Sequence, residues 1–346
     1  MDIQFFVGLD FHKNVAELCI QDASGRIVDR LRIKPEHLLK QLANRQACWI
    51  AIEASGAVFD MAAKLRAAGH RVSVIHAGKF RGIGIGGKKT DRRDAEALAT
   101  ALRLGFIPEV HQKSLYSRRI NSLLASRDLV VQSRTALTNH VRGILREYGL
   151  PMPAGSTKFW EHIEATLSAL DCELVRDALS QVVKVARDLL EQEQMVEERL
   201  EQLIRNDERI ERLVEVPGIG MLTASALVAA FDEPGRFDGN AKRAGSFLGL
   251  VPREHSSANK RRLGSISKSG PELVRRYLVH GARTCLRHKG QDPARRWAAK
   301  LESRIGTNKA TVALAHKNAR IAFALLRDGT RYGQYKGRAK KVQVAA

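Results

Sequence analysis

The sequence has few cysteines, few aromatic residues and no long hydrophobic run. Its four cysteines are far apart and form no Cys-x-x-Cys pair, which argues against a zinc ribbon or a disulfide framework and favours a reducing compartment. No segment approaches the roughly 20 consecutive apolar residues of a membrane-spanning helix, and the first ten residues lack the pattern of a signal peptide. We therefore expect a soluble, intracellular protein without membrane segments.

Acidic residues are scarce in one part of the chain only. The 346 residues include 58 Lys+Arg and 37 Asp+Glu, a formal net charge of +21. From Arg236 onward there are 26 basic and 6 acidic residues, a net charge of +20, whereas the first 235 residues have 32 and 31, a net charge of +1. A segregated basic region is typical of polyanion-binding domains, although a solvated basic face is an alternative. Nucleic acid is favoured over a membrane surface, because no amphipathic anchor accompanies the charge.

The first 76 residues alternate between strand and helix patterns. Strands are predicted at residues 5–10, 15–21, 27–33, 49–53 and 71–76, with helices at residues 35–47 and 58–68. These elements predict a mixed α/β sheet. Their order, three strands, a helix, a strand, a helix and a strand, is that of the ribonuclease-H-like fold.

The rest of the chain is predicted to be mainly helical. Helices are expected at residues 90–104 and 115–150. A long helical region is expected at residues 159–216, with a seven-residue apolar repeat that Glu193 and Asp207 interrupt. This pattern fits an imperfect dimerising coiled coil and a packed helical hairpin equally well. We predict four regions: an α/β domain (residues 1–112), a helical oligomerisation region (113–213), a mainly helical C-terminal domain (214–332) and a basic tail (333–346).

Four carboxylates occupy positions that suit a metal site. Asp10 and Glu53 end apolar strands, and Asp91 and Asp94 lie three apart at the start of a helix, which places both on one face. A carboxylate at the end of a buried strand is costly unless a cation compensates it, and Mg²⁺ prefers oxygen ligands. One or two such ions could stabilise the attacking and the leaving oxygen in the displacement at a phosphodiester. Taken singly, the helix carboxylates also fit ordinary N-terminal charges. His12 shares the strand face of Asp10 and could contact the site, although a packed or hydrogen-bonded histidine is favoured.

Two segments of the C-terminal region have residues that suit phosphate binding. The turn at residues 217–220 contains Gly218 and Gly220 between two helical patterns, where backbone amides can bind phosphate; a plain inter-helix turn is the alternative. The loop at residues 253–270 combines hydroxyls with basic side chains that can bind a phosphate and stabilise its developing charge. These basic residues are Arg253, Lys260, Arg261, Arg262 and Lys268.

Motifs along nearly the whole chain resemble those of one known family. They are GLDFHK (8–13), IEASG (52–56), KTDRRDA (89–95), VPGIG (216–220), FLGLVPREHSS (247–257) and RLGSISK (262–268). The first three resemble the Asp-Glu-Asp-Asp (DEDD) signature of insertion-sequence transposases with a RuvC-like N-terminal domain, the bridge-RNA-guided or seeker-RNA-guided recombinases. The fourth resembles their helix-hairpin-helix segment, and the last two resemble their serine-bearing C-terminal transposase domain.

This resemblance implies a recombinase with a composite active site. The implied ligands of Mg²⁺ are Asp10, Glu53, Asp91 and Asp94. A serine of the C-terminal domain would become covalently joined to DNA during strand exchange. That serine falls on Ser256 or Ser257, and we prefer Ser256, which follows Pro-Arg-Glu-His as in the family pattern.

The resemblance also implies partners and a location. The partners would be double-stranded donor and target DNA, a non-coding guide RNA and further copies of the chain, as dimers that pair into a tetramer. The location would be the bacterial cytoplasm, in association with the nucleoid. Delegating target choice to RNA agrees with an aromatic content of 5%, which is too low for an extended base-stacking platform.

Three functions compete on this sequence. The motifs and the charge favour an RNA-guided DNA recombinase of a mobile element. A metal-dependent RuvC-like nuclease or junction resolvase would use the same carboxylates with water and form no covalent intermediate. A non-enzymatic nucleic-acid-binding protein would retain the fold and the charge without the chemistry.

Overall fold

The computed structural model describes residues 4–56, 58–76, 90–257, 262–288 and 292–334. The chain divides into two compact units, Met1–Gln112 and Lys113–Ala346. Lys260, Arg261 and the basic tail from residue 335 onward lie outside the described residues. None of the described helices combines the length and the apolar character that crossing a lipid bilayer requires.

The first unit contains a mixed sheet of five described strands. The strands are β1 (Phe5–Phe11), β2 (Ala16–Asp22), β3 (Ile27–Ile33), β4 (Cys48–Glu53) and β5 (Arg71–Ile75), and the described helices are α1 (Leu38–Ala43), α2 (Val58–Ala67) and α3 (Asp91–Arg103). The strand order is β3-β2-β1-β4-β5. β1, β2 and β3 pair antiparallel, whereas β4 is parallel to both β1 and β5. The prediction of a mixed α/β domain is therefore confirmed.

Helices cover both faces of this sheet. α1 and α2 pack on the face that carries Val7 and Leu9. α3 packs on the opposite face, against β1 and β2. On that face, a Cβ added at Gly8 would lie 1.8 Å from the carbonyl oxygen of Ala95 in α3. Glycine at position 8 therefore allows the helix backbone to approach the strand more closely than any side chain would permit.

The second unit is mainly helical, as predicted. Its described helices are α4 (Leu115–Glu147), α5 (Ser156–Ser168), α6 (Glu173–Ile204), α7 (Glu208–Val214), α8 (Met221–Phe231), α9 (Ala241–Phe247), α10 (Glu272–Arg287), α11 (Pro293–Ile305) and α12 (Thr307–Asp328), and its described strands are β6 (Pro252–Glu254) and β7 (Leu263–Ile266). The core surrounds α8, in which residues 223–231 are all buried. Phe231 packs edge-on against Phe237 and Phe323 at its end.

The two longest helices, α4 and α6, form an antiparallel hairpin. Ile120, near the start of α4, shares an apolar cluster with Leu200, near the end of α6. Val141, near the end of α4, shares another with Leu179, near the start of α6. The packed hairpin is thus present within the chain. The long helical region predicted over residues 159–216 is present, and the structure divides it into α5, α6 and α7.

The two acidic residues that interrupt the apolar repeat have structural roles. The Glu193 carboxylate accepts hydrogen bonds from Arg127 at 2.9 Å and from Arg134 at 2.6 Å, between the two helices of the hairpin. Asp207 is the N-cap of α7, where its side chain accepts a hydrogen bond from the backbone N–H of Arg209 at 3.0 Å. Because such a cap satisfies an amide that a new helix leaves unpaired, it explains why a separate helix begins here.

Candidate functional site

Asp10 lies near the end of β1, on the face that α3 covers. Residues two apart on a strand share a face, so Asp10 follows Gly8, where strand and helix are closest. Asp10 is only 8% exposed. Burial raises the pKa of its carboxyl group, His12 opposes the rise, and Asp91 and Asp94 add to it. A buried carboxylate with acidic neighbours is the arrangement that a bound cation would relieve.

The first turn of α3 supplies those acidic neighbours. Thr90 is the N-cap, and its side chain accepts a hydrogen bond from the N–H of Arg93. The helix then begins at Asp91, and Asp94 follows three residues later on the same side. Negative side chains are favourable at this end of a helix, so the local sequence places two carboxylates here at little cost.

Three groups converge closely enough to share one ion. Ligand atoms of Asp10, His12 and Asp91 all lie within 4.8 Å of one another. His12 Nε2 is 3.1 Å from Asp10 Oδ1. The two carboxylates are the part of this group that fits Mg²⁺, which prefers oxygen ligands, whereas an imidazole nitrogen is a ligand more typical of transition metals. The sequence signal for His12 was its spacing of two residues from Asp10 on a strand, which alone did not separate a ligand from a packed histidine.

Glu53 lies on the strand next to Asp10. In the parallel pairing of β1 and β4, Leu9 is opposite Ile52, so Glu53 follows in register beside Asp10. Within the described residues, Glu53 and Asp94 are not part of the group whose ligand atoms lie within 4.8 Å. The structure therefore brings two of the four predicted carboxylates together with His12 and places the other two at neighbouring positions.

The two candidate serines follow β6 in the second unit, and both are exposed. The Ser256 hydroxyl donates a hydrogen bond to Glu254 Oε1 at 2.7 Å and accepts one from the backbone N–H of Arg262 at 3.2 Å. These contacts orient the hydroxyl and place a proton acceptor next to it. Glu254 was not among the predicted site residues, since its contact with Ser256 depends on the local fold of this hairpin.

Basic side chains surround this hairpin. Arg253, Arg262 and Lys268 are all exposed. Arg253 Nη2 donates to the carbonyl oxygen of Ser267 at 3.2 Å, which ties it across the hairpin. Lys268 has a φ of 54°, a left-handed conformation that is uncommon for a residue other than glycine. The surface next to Ser256 is therefore positively charged.

The turn at residues 217–220 connects α7 to α8. Gly218 has a φ of +86°, and an added Cβ would lie 2.8 Å from the carbonyl oxygen of Gly281 in α10. Asn318 Nδ2 holds the same turn through a hydrogen bond to the carbonyl of Pro217 at 2.9 Å. Gly218 is therefore required for packing. Gly220 is exposed, and an added Cβ there would meet no atom within 4 Å.

Both units match known transposases. A sequence profile described as "Transposase IS116/IS110/IS902 family" matches residues 210–298, and a DEDD profile of the IS110 type, described as "Transposase", matches residues 7–150. The transposase for insertion sequence element IS1111A of Coxiella burnetii is 33% identical over 325 residues, 92% of this chain and 89% of that protein. A probable family 20 transposase of Pseudomonas aeruginosa is 34% identical over 338 residues, 94% of this chain and 98% of that protein. The chain belongs to the IS110/IS116 family of transposases.

An IS110/IS116 transposase cleaves and transfers DNA, so the predicted recombinase class and the DNA substrate are confirmed. The DEDD profile covers the sheet and the acidic group around Asp10, which agrees with the use of a divalent metal there. The second profile covers the turn at residues 217–220 and the Ser256 hairpin. The two profiles thus fall on the two parts of the chain in which the sequence predicts chemistry.

Proposed function

We propose that this transposase is a site-specific recombinase that moves an insertion sequence by magnesium-dependent strand exchange through a serine, guided by a non-coding RNA. Its first unit would be a RuvC-like domain with a ribonuclease H fold. The strand order β3-β2-β1-β4-β5 and the acidic group at the end of β1 support this assignment. The observation that carries the proposal is the buried Asp10 carboxylate among Asp91, Asp94 and His12.

The first unit is proposed to hold Mg²⁺. The ligands would be Asp10, Glu53, Asp91 and Asp94. Bound there, the ion would stabilise negative charge on the reacting phosphodiester. His12 would orient the Asp10 carboxylate through their 3.1 Å contact.

Ser256 is proposed as the nucleophile. Its Oγ would form a bond to phosphorus while its proton passes to Glu254 Oε1. The bond from phosphorus to a deoxyribose oxygen would break, and the released oxygen would take a proton from water. The hydrogen bond between Ser256 and Glu254 favours this covalent route over attack by water.

The phosphate around this serine would be bound by the basic residues of the second unit. They are Arg253, Lys260, Arg261, Arg262 and Lys268, with the turn containing Gly218 and Gly220 as a further contact. The exposure of Arg253, Arg262 and Lys268 supports this role. The close packing of Gly218 against Gly281 is enough to explain why a glycine stands at position 218. Gly220 is therefore the better candidate of the two for a phosphate contact.

Guide RNA and further copies of the chain complete the proposal. The net charge of +20 after residue 235 supports binding to polyanions beyond the DNA substrate. Recombination requires two DNA segments to be held together, which dimers pairing into a tetramer would achieve. The hairpin of α4 and α6 is a candidate interface because it exposes Leu129, Leu174, Val185 and Met195.

A recombination assay with Asp10→Asn tests the metal site. The substitution keeps the size of the side chain but removes the charge that would bind the ion, so we expect at least a hundredfold loss on a plasmid carrying donor and target. Asp60→Asn, which changes an exposed carboxylate of α2, is the matched control and should recombine like the wild type. Normal recombination by Asp10→Asn would reject the proposed site.

A further inference from the structure

Two adjoining cavities form a groove in the second unit, where the α4–α6 hairpin meets α7. Their volumes are about 700 and 790 Å³, and Gln202 and Leu203 line both. We call this the arginine groove, because its basic lining consists of Arg118, Arg119, Arg199, Arg205, Arg209 and Arg212. Its acidic lining is Asp207 and Glu208, so the groove carries six positive and two negative charges, a net charge of +4.

The positive charge of this groove is produced by folding. Residues 113–235 contain 15 basic and 19 acidic residues, a net charge of −4, so the region as a whole is not basic. The antiparallel hairpin brings Arg119 of α4 next to Arg199 of α6, although they are 80 residues apart in the chain. A basic site thus lies within a segment whose overall composition is acidic and gives no sign of it.

Arg209 and Arg212 pair with the groove's own carboxylates, Asp207 at 2.7 Å and Glu208 at 4.0 Å. The other four arginines of the groove are less neutralised than those farther along the hairpin. Arg127 and Arg134 are paired with Glu193. Arg119, Arg199 and Arg205 are exposed, and their side chains have no hydrogen bond or ion pair among the described residues. Arg118 Nε, in turn, is buried without a hydrogen-bond partner in that part of the chain. Like charges gathered without counter-charges repel one another, and a bound polyanion would remove this cost.

Apolar side chains lie between these cations. Leu115, Leu123 and Leu203 line the groove, and the guanidinium of Arg209 lies 5.4 Å from the centre of the Tyr116 ring. A surface that combines cations with apolar and aromatic side chains suits nucleotides, whose phosphates bind arginine and whose bases pack on flat or apolar groups. Cavities of this volume accept ligands the size of one to a few nucleotides. A DNA duplex is too bulky to enter them.

We propose that the arginine groove binds a single-stranded segment of DNA, using residues that neither the metal group nor the Ser256 hairpin uses. The family's reaction cleaves and transfers DNA strands, so a strand separated from its complement is a species that the enzyme itself produces. The groove would hold that strand by its phosphates without reading its sequence. The proposal rests on the DNA chemistry of the family and is independent of the serine and of Mg²⁺.

Fluorescence anisotropy with the full-length protein tests this proposal. The probe is a labelled 15-nucleotide single strand of DNA, and the variant is Arg119→Glu/Arg199→Glu/Arg205→Glu. The matched control is Arg146→Glu/Lys158→Glu/Lys184→Glu, which reverses three exposed charges of the same unit outside the groove. We expect the groove variant to lose at least tenfold in affinity and the control to stay within twofold of the wild type.

The salt dependence gives a second readout. If each of the three arginines contacts one phosphate, the slope of log Kd against log salt should fall by about 2, at ~0.7 for each single-strand contact. Affinity for a duplex of the same sequence should change little in either variant. Thermal melting of both variants near the wild-type temperature shows that they are folded.

Four outcomes would overturn the proposal. Equal losses in the two variants would mean that only overall charge matters. An equal loss for the duplex would make the groove part of a general DNA surface. Tighter, groove-dependent binding of the matching RNA would assign the site to RNA. A change in oligomeric state of the groove variant alone, measured by light scattering, would make the groove an interface for a second copy of the chain.

Discussion

The environment of Asp10 is decided by a residue that has no side chain. Gly8 lets α3 approach β1, and this approach both buries Asp10 and brings the start of the helix to it. The raised pKa of Asp10 follows from burial and from its acidic neighbours. Burial and the neighbouring carboxylates disfavour the ionised form of Asp10, and a bound cation would offset that cost.

Glu254→Gln tests the proton acceptor proposed for Ser256. The amide preserves the size of the side chain and a hydrogen bond, but it takes up a proton far less readily. We expect covalent attachment to DNA to slow by about a hundredfold, a typical effect of losing a general base, while DNA affinity is unchanged. Single-turnover kinetics measure the rate, and Glu272→Gln, an exposed carboxylate at the start of α10, is the control. Attachment at the wild-type rate would remove Glu254 from the mechanism.

At the scale of elements, the α4–α6 hairpin depends on charges between its helices as well as on leucines. Arg127, Arg134 and Glu193 have side chains that are only 16%, 11% and 12% exposed. Arg127 is also paired with Glu197. Removing one member of a buried set leaves its partners as uncompensated charges, which costs more than the intact set contributes.

Glu193→Ala is therefore expected to destabilise the second unit by about 3 kcal/mol. Glu164→Ala provides the comparison, because its ion pair with Arg187 is largely exposed and is worth less than about 1 kcal/mol. Chemical denaturation followed by circular dichroism measures both. Equal effects of the two substitutions would show that the buried set does not hold the hairpin.

The same elements show what could be predicted from the sequence. The strands of the first unit were predictable. β1 and β4 are short apolar runs that end at or next to Asp10 and Glu53, and β2 and β3 are apolar segments on either side of a turn. The break between α6 and α7 was not, because Asp207 reads as an interruption of an apolar repeat until its capping contact with Arg209 is known. Glu254 was missed for a similar reason, since its role depends on a contact made only in the folded hairpin.

At the scale of the whole molecule, the distribution of charge along the sequence differs from its distribution on the folded surface. Composition locates the positive charge after residue 235, and the exposed residues of the Ser256 hairpin agree with that. The arginine groove lies in a region of net charge −4, so no count along the chain would have located it. Residues far apart in sequence become neighbours only through the hairpin, and this part of the electrostatics required the structure.

The proposed guide RNA makes a prediction about the intact protein. Protein purified at moderate salt from cells carrying the complete element is expected to retain a discrete RNA. The net charge of +21 favours binding of polyanions, and base pairing with donor and target would require one particular RNA. Sequencing of the bound RNA should recover segments complementary to both donor and target. Recovery of only abundant cellular RNA, in proportion to its abundance, would contradict RNA guidance.

The most direct test of the proposed mechanism is to trap the covalent intermediate on a denaturing gel with end-labelled DNA. The wild type and Ser257→Ala should each give a protein–DNA adduct, and Ser256→Ala and Asp10→Asn should give none. An adduct of normal yield from Ser256→Ala, or efficient cleavage by the wild type without any adduct, would contradict the proposal that Ser256 and the metal-binding carboxylates act together in strand exchange.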